Sequence, residues 1–190
     1  MIFWLWFWCV TALSVLVEVM LGTRGLAMPC LLTAAFYFAV IRPWSRVLFP
    51  LLAAGLSVDL LFGRTFPCHL VMLPLVIMGG QYWRRYGDLR SLMVQVLPGL
   101  YVGMVAGVGL LLYMVFRQGA AVLTDVRWSV FWLAGQTLGG AVLLPLGCCL
   151  GDTIARLLAI RRYARVSPYQ IQQEAYGSAE ASGGEESADE

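Results

Sequence analysis

Charge is scarce in this chain. Asp, Glu, Lys and Arg make up 13% of its 190 residues, about half the share of an ordinary soluble domain. Lysine is missing altogether, and all thirteen basic residues are arginines between Arg24 and Arg165. The five cysteines (Cys9, Cys30, Cys68, Cys148, Cys149) form no CxxC pair, and His69 is the single histidine. That leaves no zinc or haem ligand set, so neither a metal nor a cofactor is expected. No HExxH and no serine elbow occur. Ser57 and Asp59 would point roughly 200° apart around a helix, which removes the one visible acid–base pairing. The chain is therefore expected to have no catalytic residue and not to be an enzyme; no nucleic-acid partner is expected either. The N-terminus lacks a basic n-region, and its apolar run reaches Leu21. A cleaved signal would carry an apolar core of about 7–15 residues, so the segment reads as an uncleaved first span.

Apolar residues fill the space that charge leaves. They make up 60% of the sequence, and the mean hydropathy is +0.77. Six apolar stretches, at about 2–22, 26–41, 47–63, 66–83, 92–116 and 129–155, alternate with short arginine-bearing loops. A helix needs about 20 residues to cross about 30 Å of hydrocarbon, and in lipid it satisfies its backbone within one segment. The expected fold is all-α: a polytopic up-and-down bundle of six transmembrane helices over residues 1–165. The sixth stretch is long enough to require a tilt, a kink at Pro145, or a turn near Gly151 into an interfacial helix. Residues 166–190 hold six of the eleven acids and too little apolar surface to fold, so a disordered cytoplasmic tail is expected there.

Arginine placement sets the expected orientation. Arg42, Arg46, Arg84, Arg85, Arg90, Arg156, Arg161, Arg162 and Arg165 fall on one side; Arg24, Arg64, Arg117 and Arg127 fall on the other. Cytoplasmic loops favour positive charge, which puts both termini inside. Trp4, Trp6 and Trp8, then Trp44, Tyr82, Trp83, Tyr86, Trp128 and Trp132, sit near predicted borders, as interfacial anchors do.

Small residues recur at four-residue spacing. Gly99, Gly103 and Gly107 share a face of the fifth stretch; Gly135 and Gly139, then Gly147 and Gly151, do so in the sixth. Such faces let helix backbones approach closely, within the bundle or against another membrane protein. An acid inside a membrane helix calls for a partner or a function. Glu18 has Arg24 within reach, and Asp152 has Arg156 one turn later. Asp59 stands between Gly55 and Gly63 at i, i+4 and i+8, in a groove that a second helix can enter. It could accept hydrogen bonds from a helix N-terminus, pair with Arg64, or meet a partner.

The segment Gly55-Leu56-x-x-Asp59-Leu60-Leu61-x-Gly63 resembles the signature of the bacterial rod shape-determining protein MreD family. Pro29, Tyr37, Pro43 and Pro50 fit that family's layout, and the resemblance covers about residues 29–80. After the motif this chain reads Arg64-Thr65-Phe66-Pro67-Cys68, where the family usually has a glycine. The resemblance implies a non-enzymatic, multi-pass protein of the bacterial inner membrane that serves the cell-elongation complex. It further implies binding to the bitopic protein MreC and, through it, action with MreB, RodA and a penicillin-binding transpeptidase in peptidoglycan synthesis and cell shape. Besides membrane lipid, those are the expected partners; a small-molecule ligand is not expected. The alternative is a substrate-binding subunit like the S-component of an energy-coupling-factor transporter, whose six-helix fold this architecture also fits. Against it, helix one has only Ala12 in place of an AxxxA contact, and an outward pocket rich in polar side chains is hard to assemble from these spans. Deleting Ser178–Glu190 should leave insertion and the melting temperature in detergent unchanged; a lost or unfolded product would show that the tail belongs to the fold.

Overall fold

The computed structural model describes residues 2–24, 28–64, 66–86, 92–119 and 126–157. They form six helices: α1 (Ile2–Gly22), α2 (Cys30–Ile41), α3 (Trp44–Leu61), α4 (Cys68–Tyr86), α5 (Leu92–Gln118) and α6 (Val126–Leu157). Helices account for all the regular secondary structure among the described residues. Four of them, α1, α3, α5 and α6, are long and apolar enough to cross a membrane, as in a multi-pass membrane protein. The acidic tail expected from residue 166 lies outside the described residues.

The second helix departs from the expected span. It begins at Cys30 and holds 12 residues, every one of them buried. At 1.5 Å per residue it is about 18 Å long, short of a bilayer's hydrocarbon thickness. All five other helices touch it, so α2 is the axis around which they stand. Leu31, Ala35, Phe38, Ala39 and Val40 have no contact with the surroundings at all. Large apolar side chains on the other helices, such as Leu5, Phe49, Leu60, Met78 and Phe131, instead face outward. An apolar exterior of this kind suits lipid rather than water.

A helix whose residues are all buried must find protein partners for its unpaired backbone groups. At the start of α2, the Leu31 N–H donates to Glu18 Oε2 of α1 at 2.9 Å. At its end, Gln81 Nε2 of α4 donates to the Ala39 carbonyl and, at 2.9 Å, to the Arg42 carbonyl. The Glu18 carboxylate also lies at the positive end of the helix dipole, where negative charge is favoured. Glu18 thus serves α2, and the expected link to Arg24 is replaced.

The tightest seam joins α5 to α6. A β-carbon added to Gly99 would lie 2.6 Å from the Gly140 carbonyl oxygen, and one added to Gly140 would lie 2.5 Å from that of Gly99. At Gly103 it would lie 2.7 Å from Thr137 Cα, and at Gly107 2.6 Å from Leu133 Cδ1. Backbone contact this close is how helices adhere in lipid, where apolar burial supplies little attraction. The α6 side of the seam is not the expected one. Nothing lies within 4 Å of a β-carbon on Gly135 or Gly139, because these residues are rotated away from α5 while Gly140 faces it. Gly147 and Gly151 turn instead toward α2, against Thr33 and the Tyr37 ring.

Two further expectations change. Trp4 and Trp8 are exposed, as anchors would be, but Trp6 is buried in the core. Its neighbour Phe7 packs on Phe38 of α2 with ring centroids 4.7 Å apart. The sixth helix runs unbroken past Pro145 and Gly151 to Leu157, so no turn interrupts it at Gly151. Replacing Gly103 or Gly140 with Leu should lower stability by about 1–3 kcal/mol through overpacking, read as thermal unfolding in detergent. Gly139→Leu should stay within about 0.5 kcal/mol; an equal loss there would misplace the seam.

Candidate functional site

The third helix ends in a backbone motif that its sequence requires. Gly63 has φ +61°, a left-handed conformation that glycine adopts without steric cost. Its N–H donates to the Leu60 carbonyl at 3.0 Å, and the Arg64 N–H donates to the Asp59 carbonyl at 2.9 Å. This pair of bonds is the Schellman termination of a helix. Gly63 is therefore the stop of α3 and lies beyond its last turn, so it does not line a packing groove with Asp59. Gly55 does: a β-carbon there would lie 2.8 Å from His69 Cβ and 2.5 Å from Leu73 Cδ1 of α4. The missing side chain is what lets α4 approach.

Reversing the chain at Gly63 folds Arg64 back over the helix it has just left. Its Nη1 donates to Asp59 Oδ1 at 2.9 Å, and its guanidinium lies 5.0 Å from the Phe62 ring centre and 5.7 Å from that of Tyr113. On the other side of Asp59, His69 Nδ1 lies 2.8 Å from Oδ1. The His69 backbone N–H donates to Oδ2 at 2.9 Å. That N–H is one of the first-turn donors of α4, so Asp59 closes the start of α4 from a different helix. Asp59 is 2% exposed and His69 3%.

Both acids thus perform the same task. Glu18 of α1 closes the start of α2, and Asp59 of α3 closes the start of α4. The His69 ring joins the two, with Nε2 3.5 Å from Glu18 Oε1. With the imidazole protonated, the cluster holds two negative and two positive charges, and burial of so many ionic groups is tolerable only because they face one another. The sequence offered Asp59 both a helix N-terminus and Arg64, and the structure uses both. His69 was the missing member. Its one signal is position: it is the second residue of a helix that follows Pro67, ten residues after Asp59.

Beside the cluster lies a cavity of about 420 Å³. Glu18, Arg64 and His69 line it together with Tyr113 and Arg117 of α5 and Trp132 of α6. These groups come from the closing ends of α1, α3 and α5 and the opening halves of α4 and α6, gathered at one end of the bundle. The sequence made such a pocket look hard to assemble because each span contributes only one or two polar residues. Convergence of the helix ends brings them together. The remaining acid among the described residues, Asp152, lies apart from it and accepts a hydrogen bond from Tyr37 Oη at 3.4 Å. All five cysteines are free, and no group of three or more His, Cys, Asp or Glu among the described residues is arranged to hold a metal ion.

Compared with protein-family models, curated proteins and solved structures, the chain matches none. Asp59→Ala should cost about 3–5 kcal/mol, because Arg64 and His69 would keep buried charge and donors without a partner. Gly63→Ala should cost about 1–2 kcal/mol for its left-handed backbone. Thermal unfolding in detergent checks both; an Asp59→Ala protein as stable as the parent would remove the ionic cluster from the account of the fold.

Proposed function

We propose that this chain is a non-enzymatic scaffold of the cell-elongation complex in the bacterial inner membrane, similar to MreD. In this reading it crosses the membrane six times with both termini in the cytoplasm. It holds an MreC-like bitopic protein and, through it, works with MreB, RodA and a penicillin-binding transpeptidase. The observation that carries the reading is the segment Gly55–Gly63, which has the family's spacing and divides into two faces. Gly55, Val58 and Asp59 turn inward and fix α3 against α4, while Leu60 and Leu61 are 77% and 66% exposed. Asp59 then sets the position of the outer leucines, and those leucines meet the partner. Helix faces of this kind associate by close packing, since lipid removes the hydrophobic drive between them.

Co-expression with an MreC-like protein and copurification from gently solubilised membranes tests this. Leu60→Ala with Leu61→Ala should lower recovery of the partner about tenfold or more, with the melting temperature unchanged. Reporters on the two ends should both respond in the cytoplasm. Failure of any MreC-like protein to copurify with the unaltered chain would overturn the reading, and an undiminished yield from the double variant would move the interface elsewhere.

A further inference from the structure

The cavity is not needed for a scaffold, and its polar wall is rich in donors. The one carboxylate on its wall, Glu18, is already occupied: Oε2 takes the Leu31 N–H and Oε1 faces His69 Nε2. Around it stand several donors, beside the mixed donor–acceptor groups of Tyr113 and Gln136. Trp132 Nε1 is buried and has no hydrogen-bond partner. Arg117 is exposed at the closing turn of α5, one helical turn after Tyr113. Arg64 uses Nη1 on Asp59 and keeps further N–H groups of its five. A buried indole N–H without an acceptor is costly, and an occupant that brings one removes that cost.

Apart from Gln136, the rest of the wall is apolar. Met28, Leu32, Met72, Leu110 and Met114 line it, and methionine side chains reshape readily around different bodies. The volume lies within the about 300–1,000 Å³ range of small-molecule sites. Two arginines, an indole donor and an adaptable apolar floor make up the demand: acceptor oxygens with negative charge on a small apolar body.

We infer that the cavity is a binding site for a small anionic amphiphile, a carboxylate or phosphate monoester on an apolar chain, held by Arg64, Arg117 and Trp132. Arginine suits either head group, since its fork of donors matches both geometries. Such a head arrives on a water-borne molecule or on an anionic lipid, and the two sources present the same oxygens to the site. The inference stands apart from the scaffold reading, because its residues are not on the exposed Leu60–Leu61 face.

Hexyl phosphate and octanoate are the probes, with hexanol as the uncharged control, titrated calorimetrically into the full chain in nanodiscs of phosphatidylcholine. Both anions should bind saturably and compete with each other, and hexanol should bind at least tenfold more weakly. Arg117→Ala should weaken the anions about tenfold, the loss of a charge-assisted hydrogen bond. Trp132→Phe should weaken them about threefold to tenfold. Both variants should keep the parent's elution profile and melting temperature. Repeating the titration with phosphatidylglycerol in the nanodisc separates the sources. Displacement of hexyl phosphate by that lipid supports the site and assigns it to a headgroup; binding that persists supports it and assigns it to a water-borne anion. No saturable binding of either probe would overturn the inference. So would binding that hexanol matches, or that neither folded variant alters.

Discussion

A helix sealed off from both water and lipid cannot leave its end groups unpaired, and α2 is such a helix. Its 12 residues are all buried, so its free N–H and C=O groups can be answered only by neighbours. Glu18 of α1 answers at one end and Gln81 of α4 at the other. Those two bonds fix how α1 and α4 stand against the axis. They also explain why an acid and an amide occur within otherwise apolar stretches. Removing either would strand a backbone group in a low-dielectric interior, where the cost of an unmade bond is largest.

The same logic repeats one helix pair later. Asp59 closes α4 as Glu18 closes α2, and His69 couples the two closures through its ring. Gly63 is what makes the arrangement reachable, because its left-handed φ turns the chain and returns Arg64 to Asp59. One end of the bundle is therefore held by a connected ionic group. Its opposite faces are held by the glycine seam between α5 and α6 and by the contact of Gly147 and Gly151 with α2. Ion pairing and backbone contact share the work that apolar burial does in a water-soluble core.

Much of this is legible in the sequence, and the rest is not for identifiable reasons. Apolar run length located the helices closely: stretches at 2–22 and 92–116 became Ile2–Gly22 and Leu92–Gln118. The second was placed too early, since Pro29 has no N–H to give and the helix opens after it. Periodicity found Gly99, Gly103 and Gly107, whose seam is local to one helix. It missed Gly140, because which α6 face meets α5 depends on the rotation of two long helices about each other. Asp59 with Arg64 was visible as a pair five residues apart. His69, and the meeting of Tyr113, Arg117 and Trp132 around a cavity, depend on convergence of helix ends that no local spacing encodes.

The seclusion of α2 carries a consequence for how the protein is made. Ribosomes deliver the chain from its N-terminus, so α2 emerges second, while three of the five helices that enclose it emerge fourth, fifth and sixth. At 12 residues it is too short to rest across the bilayer alone, and the carbonyls at its far end have no answer until α4 arrives with Gln81. The nascent segment must therefore wait, shallow or sheltered by the insertion machinery, and be drawn to the centre late. Biogenesis of this protein is then a closing of outer walls around a guest already delivered, rather than the stacking of spans in order of birth.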